Sequence, residues 1–404
     1  MWLINVHTSE LESFEGTDKP PYAILSHRWE DEEVSFKDFR KRRYDGMKGW
    51  AKIEQCCKQA LHHNDLSYVW VDTCCIDKRS SSELSEAVNS MYRWYEEARV
   101  CYVYLSDIVY DDSDPESFTN SAWFSRGWTL QELLAPKSLS FFDSQWTEIG
   151  SKSELGASIA KRTRIAQWAL SFFDPRHYSV AQKMAWASGR QTSRIEDRAY
   201  SLLGIFDVNL PLLYGEGEKA FTRLQEEIMR LSNDTSIFAW SDYADPYFGM
   251  LAQSPDAFSE HAAKLGGPWR DDFVLSKAGI SATFHLWQYM ANVYLAVLGN
   301  HIADGKHNFD QTFMQNDDRN MSCVAIFLQQ REDGRFQRVA LDGQYAMFTT
   351  LGSSSRHLHQ LKQINIARTF IRSVSSSRIS STSNLSCSRE QEAAIERDAM
   401  FAEP

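Results

Sequence analysis

Four short apolar runs, each closed by polar residues and separated by stretches of helical periodicity, constrain the first 150 residues more than any other feature. Tyr22-Ala-Ile-Leu-Ser26, Tyr68-Val-Trp-Val-Asp72, Val100-Cys-Tyr-Val-Tyr-Leu-Ser106 and Ser138-Leu-Ser-Phe-Phe142 are too short for core helices and rich in β-branched and aromatic residues. Between them lie helical patterns. From Trp50 to His63, Ile53, Cys57, Ala60 and Leu61 share a face. Behind a Ser80-Ser-Ser-Glu83 start signal, Leu84, Val88, Met91, Tyr95 and Ala98 form a stripe. Alternation of this kind predicts an α/β fold, a doubly wound parallel sheet with helices on both faces. A strand order of 2-1-3-4 is expected. Residues 1–20 read as polar and turn-forming.

Open parallel sheets bind ligands beyond the carboxyl ends of their strands. Here those ends carry Ser26, His27, Arg28 and Trp29, then Asp72 and Thr73, then Ser106 and Asp107. After the third run comes Ser121-Ala-Trp-Phe-Ser-Arg-Gly-Trp-Thr-Leu-Gln-Glu-Leu-Leu-Ala-Pro136. Read as a helix, it sets Trp128 and Glu132 one turn apart on one face. An indole beside a carboxylate suits a nucleotide or sugar pocket. It also suits a half-buried helix whose acid pairs with Arg126. His27 and Arg28 can face a ligand or bind the acidic loop Glu30 to Glu33. Asp72 can contact a ligand or cap the loop that follows.

A net charge of -11 excludes a general nucleic-acid binder without excluding a local basic site for a small anion. Seven cysteines, an odd number set in apolar runs, point to reduced thiols and a cytoplasmic protein. No run is long enough to span a membrane. Cys56, Cys57, Cys74 and Cys75 lack the C-x-x-C spacing of a zinc site, so no metal is expected.

Three further segments are expected after the core at 20–150. Residues 151–240 read as a helical extension and 241–352 as a small antiparallel β region. Within the latter, Glu332-Asp333-Gly334 marks a hairpin between Cys323–Leu328 and Phe336–Leu341. The Ser- and Arg-rich tail, 353–404, is expected to lack fixed structure. Gly215-x-Gly217-x-x-Ala220 mimics a dinucleotide fingerprint. No strand–turn–helix unit frames it, and Glu216 and Glu218 oppose a pyrophosphate; acids opening a helix explain it better.

Several stretches taken together resemble the fungal heterokaryon-incompatibility (HET) domain. They are Tyr22-Ala-Ile-Leu-Ser-His-Arg-Trp29, Val69-Trp-Val-Asp-Thr-Cys-Cys-Ile-Asp77, Cys101-Tyr-Val-Tyr-Leu-Ser-Asp107 and Arg126-Gly-Trp-Thr-Leu-Gln-Glu-Leu-Leu-Ala-Pro136. Glu196-Asp-Arg-Ala-Tyr-Ser-Leu-Leu-Gly204 and Leu213-Tyr-Gly-Glu-Gly217 extend the likeness to about Trp240. The resemblance implies non-self recognition and programmed cell death. As partners it implies further copies of this chain or other signalling proteins of the kind.

A more distant likeness is to TIR domains, flavodoxin-like folds of which some cleave NAD. Their S-x-W-C-x-x-E-L segment is similar to Ser125-Arg-Gly-Trp-Thr-Leu-Gln-Glu-Leu133, with Thr129 in place of the Cys and the Ser one residue further from the Trp. This implies Glu132 as the catalytic carboxylate and NAD as substrate rather than resident cofactor. Cleaving the nicotinamide–ribose bond needs no general acid, because the leaving group is already a pyridinium. A carboxylate that steadies the oxocarbenium-like sugar is the essential group. In that reading Trp128 or Trp29 stacks on a ring, Arg28 pairs with the pyrophosphate and Ser26 bonds a ribose or phosphate oxygen. The contrasting reading is a non-enzymatic module that signals by homotypic assembly.

Overall fold

In a computed structural model the structure describes residues 1–16, 18–111, 113–241, 249–258, 272–276, 279–300, 321–339, 346–351 and 360–367. The chain divides into two compact units, 1–175 with 189–224, and 176–188 with 225–404. These cut across the expected segments. Most of 151–240 belongs to the first unit, which the chain leaves at Arg176, rejoins at Gly189 and leaves again at Gln225.

The first unit is built on a seven-stranded sheet. In chain order its strands and first helices are β1 (Trp2–Asn5), β2 (Glu10–Ser13), β3 (Ala23–His27), α1 (Phe36–Arg40), α2 (Lys48–Asn64), β4 (Tyr68–Val71), α3 (Ser81–Glu97), β5 (Val100–Tyr104), α4 (Thr129–Leu134), β6 (Leu139–Phe142) and β7 (Glu148–Ser151). The sheet order is β2-β1-β4-β3-β5-β6-β7. Its centre, β4-β3-β5-β6, is parallel throughout and follows the expected 2-1-3-4 order. This is the start of the flavodoxin-like arrangement. The next position, parallel in that arrangement, is taken by antiparallel β7.

The central strands are apolar because both faces are covered. All five residues of β3 are buried, as are Val69, Trp70 and Val71 of β4. Ser80 caps α3, its hydroxyl accepting from the Glu83 amide at 3.3 Å, and the buried stripe runs through Ala87, Val88, Met91, Trp94 and Tyr95. On α2 the buried face holds Cys56 rather than Cys57, one position from the expected stripe. The buried thiols Cys56, Cys74 and Cys101 are unpaired, and burial raises their pKa well above the usual value, which keeps them protonated and inert.

Residues 1–20 depart from expectation. β1 and β2 form a hairpin, and β1 joins the sheet antiparallel to β4, with Ile4 opposite Val69. Leu3 and Ile4, successive residues on opposite faces of the strand, are both buried. Four-residue strands carry too little alternation to stand out, and the pairing partner lies more than 60 residues away.

The remaining helices are α5 (Gly156–Thr163), α6 (Gln167–Ser171), α7 (Val180–Ala187), α8 (Asp197–Tyr200) and α9 (Lys219–Leu231). In the second unit, a sheet is formed by β8 (Phe273–Ser276), β9 (Gly279–Met290), β10 (Val293–Asn300), β11 (Met321–Gln330), β12 (Phe336–Arg338), β13 (Ala346–Leu351) and β14 (Gln360–Ala367). The pairings run β10-β11-β12-β14-β9 and return to β10, a closed circuit. One pair, β12 with β14, is parallel. Val293, Leu295, Ala325, Phe327 and Val339 form a buried apolar cluster on this sheet. The strand β14 lies within the segment 353–404, with Ile364 and Ile366 buried. Residues 352–359 and 368–404 lie outside the described residues. No described helix is long and apolar enough to cross a membrane.

Candidate functional site

The carboxyl ends of β3 and β4 meet α4 in the first unit. All six residues of α4 are buried. The helix is short, and neighbouring side chains fix its two ends. At its start the Thr129 hydroxyl lies 2.7 Å from the Trp123 carbonyl and 2.8 Å from the Arg126 carbonyl, and it accepts from Arg190 at 3.1 Å. At its end the Lys152 ammonium donates to the Leu133 carbonyl at 3.1 Å and the Pro136 carbonyl at 2.6 Å. The Lys152 contacts satisfy carbonyls that the helix C-terminus leaves bare. Burial pulls the Lys152 pKa down to about 8.

Glu132 projects from this helix to Ser26 at the end of β3. The Ser26 hydroxyl donates to Glu132 Oε2 and accepts from the Trp123 indole N–H at 2.8 Å. Burial raises the Glu132 pKa to about 7, against the opposing pull of the Arg126 guanidinium and the Ser26 hydrogen bond. Its carboxyl therefore changes charge near neutrality.

Glu132 forms part of the wall of a cavity of about 490 Å³, a volume within the range of small-molecule sites. Four more of the residues expected at the site line it as well: Arg28, Trp29, Asp72 and Trp128. Asp72 accepts from the Trp29 indole at 2.7 Å, which ties β4 to the segment after β3. Arg28 is largely exposed and its closest carboxylate is Asp107, at 4.0 Å. Ser125 also lines the cavity, but its hydroxyl donates to the Ala122 carbonyl at 2.8 Å.

Two expected contacts sit behind the wall. Ser26 is fully buried, and its hydroxyl serves Glu132 and Trp123. It positions the carboxylate and is not placed to touch a ligand. His27 is buried too, 3.8 Å from Glu33 Oε2 and 3.9 Å from Asp72 Oδ1, with neither ring nitrogen hydrogen-bonded. Burial, then the charges of Lys52, Arg126 and Lys78, hold its pKa well below the ordinary value, so the imidazole is neutral. Its backbone carbonyl accepts from Arg126 at 2.6 Å.

The far wall comes from residues that spacing did not single out. The strand-like segment after Gly189 pairs with the signature loop: the Gly127 amide donates to the Gln191 carbonyl and the Gln191 amide to the Ser125 carbonyl, both at 2.7 Å. The approach is so close that a Cβ on Gly127 would lie 2.5 Å from Thr192 Cγ2. Beyond it Arg194, Asp197 and Tyr214 complete the cavity. Tyr214 donates to Asp197 at 3.0 Å, and the Arg194 guanidinium lies 4.4 Å from the Tyr214 ring centroid. The Gly215-x-Gly217 motif has a structural role. Both glycines have positive φ, and their amides donate to the Glu196 carboxylate at 2.7 and 3.1 Å. Among the described residues no group of three or more His, Cys, Asp or Glu side chains is arranged to hold a metal ion.

Residues 22–118 match the family model described as Heterokaryon incompatibility protein (HET), and residues 219–278 match a domain of unknown function (DUF8212). The chain is 50% identical over 219 residues to Vegetative incompatibility protein HET-E-1 of Podospora anserina. That match covers 52% of this chain and 16% of the relative, so the chain spans less than a fifth of the relative's length. No solved structure matches.

Proposed function

We propose that this chain, which carries a heterokaryon-incompatibility domain at residues 22–118, acts in fungal non-self recognition by cleaving the nicotinamide–ribose bond of NAD. The observation that carries the chemical part is Glu132: one buried carboxyl, held by Ser26, facing a cavity lined by indoles and cations.

The chemistry follows from that arrangement. The bond from ribose C1′ to the pyridinium nitrogen breaks, and its electron pair leaves with neutral nicotinamide. Ionised Glu132 stabilises the positive charge that develops on the sugar. Water then adds its oxygen to C1′ and releases a proton, giving ADP-ribose. The burial that raises the Glu132 pKa also strengthens its field at the ribose. Trp128, close to Glu132 on the cavity wall, offers a flat apolar surface for a ring. Likeness to TIR domains belongs to the same proposal: the parallel order and the Trp128–Glu132 step support it. Loss of the cofactor would connect the reaction to cell death.

The test is nicotinamide release from NAD by the purified, concentrated full chain, with Glu132→Gln as control. Release that the variant abolishes is the expected result. Absence of release at high concentration sinks the enzymatic reading and leaves homotypic assembly as the mode of action. In that case Glu132→Gln leaves cell killing intact.

A further inference from the structure

The cavity wall holds four cations, Arg28, Lys78, Arg126 and Arg194, and three carboxyl groups, Asp72, Glu132 and Asp197. Their balance is more positive than the count suggests. Burial raises the pKa of both Glu132 and Asp197, so these two hold their protons more tightly than ordinary carboxyls do. Asp72 remains a counter-charge: it accepts from the Trp29 indole and attracts Lys78. Arg28 faces Asp107. Among the described residues, Lys78, Arg126 and Arg194 have no carboxylate within ion-pair distance.

Two of these cations lie against one ring. The Lys78 ammonium sits 3.4 Å from the centroid of the Trp29 ring, and the Arg126 guanidinium 5.5 Å from the same centroid. They repel: desolvation first, and to a smaller degree the Arg126 charge, pull the Lys78 pKa down, against the attraction of Asp72. The indole quadrupole offsets part of that repulsion but carries no charge. Arg126 cannot swing away, because it donates to the His27 carbonyl at 2.6 Å. A pair of like charges fixed at one ring, on the wall of a cavity that also presents Arg194, is the electrostatic complement of a ligand with two adjacent negative charges.

We propose that Lys78, Arg126 and Arg194 form a pyrophosphate site, with Trp29 as the platform that holds Lys78 in place, and that the ligand class is a nucleoside diphosphate or a dinucleotide. This deepens the glycohydrolase reading by naming the group that anchors the substrate. It reassigns that task from Arg28, whose guanidinium lies 4.0 Å from the Asp107 carboxylate. The site makes no use of Glu132, so binding and cleavage are separable.

Calorimetric titration of the full chain at low ionic strength, with inorganic pyrophosphate and with ADP-ribose, tests the proposal. Both ligands should bind, and added salt should weaken them. Lys78→Met keeps an aliphatic stem on Trp29 and removes the charge; it should weaken both by about 10-fold, the scale of one charge-assisted hydrogen bond. Arg194→Gln should act in the same direction, and Lys78→Arg should restore binding. Thermal unfolding confirms that each variant is folded. Failure of the parent chain to bind either ligand overturns the proposal, as does a folded Lys78→Met variant of unchanged affinity. Pyrophosphate binding that depends on Lys78 in a chain that leaves NAD intact supports the anion site and removes the glycohydrolase. NAD cleavage with unchanged KM in Lys78→Met does the reverse.

Discussion

Replacing Glu132 by glutamine removes one ionisation from the interior while keeping the volume and an acceptor for the Ser26 hydroxyl. The Glu132 pKa is raised from 4.5 to about 7, chiefly by burial. At about 1.4 kcal/mol per pH unit, ionising this group inside the fold costs about 3 kcal/mol relative to the unfolded chain. The sign is fixed by the direction of the shift. Below the unfolded value both states are protonated and the protein keeps its full stability. As pH rises towards the folded value, the unfolded chain ionises first and stability falls. Above about 7 the loss levels off. Glu132→Gln lacks this dependence. Urea unfolding of parent and variant across that range should therefore give curves that nearly coincide at acid pH. They should separate in favour of the variant by about 3 kcal/mol at the alkaline end. A difference that stays flat with pH would mean that Glu132 titrates as an exposed carboxylate, and the account of the site would fail. The same ionisation should appear in catalysis, with kcat/KM for NAD rising through about pH 7 to a plateau.

Three further outcomes follow from contacts around α4. Ser26→Ala removes a donor from Glu132 and an acceptor from Trp123; it should cost about 1–3 kcal/mol in unfolding free energy and move the kcat/KM profile to higher pH, because the hydrogen bond now favours the ionised acid. Lys152→Met strands the Leu133 and Pro136 carbonyls and should destabilise by a similar 1–3 kcal/mol or so, measured by urea unfolding at neutral pH. Gly127→Ala drives a methyl to 2.5 Å from Thr192 Cγ2; a loss of about 1–3 kcal/mol is expected. Adding Thr192→Ser, which deletes that methyl and keeps the hydroxyl bonded to the Arg194 carbonyl, should restore most of it; no rescue would place the strain elsewhere.

How much of this was legible depended on the range of the interactions. Buried parallel strands announce themselves locally, since a strand covered on both faces must be apolar along its length; Ala23–His27 and Val100–Tyr104 were readable for that reason. Trp2–Asn5 was not, because its place is set by pairing with β4. Gln360–Ala367 was hidden in the same way, a polar-rich strand whose register comes from β9. At the site, the step from Trp128 to Glu132 and the strand-end position of Arg28, Trp29 and Asp72 carried real information. What spacing could not convey was division of labour. Ser26 and His27 adjoin Arg28, yet they still belong to the covered strand β3 and are buried. Lys78, Arg194, Asp197 and Tyr214 come from segments whose approach is decided by tertiary packing.

The return of the chain to the first unit at Gly189 has a consequence for synthesis. A ribosome releases the parallel sheet and Glu132 first, but Arg194, Asp197 and Tyr214 emerge some 60 to 80 residues later on the order of several seconds at ordinary elongation rates. During that interval the nascent chain exposes an unwalled half-site with no enclosed chamber. Any reaction that needs the enclosed cavity therefore waits until elongation has passed Tyr214.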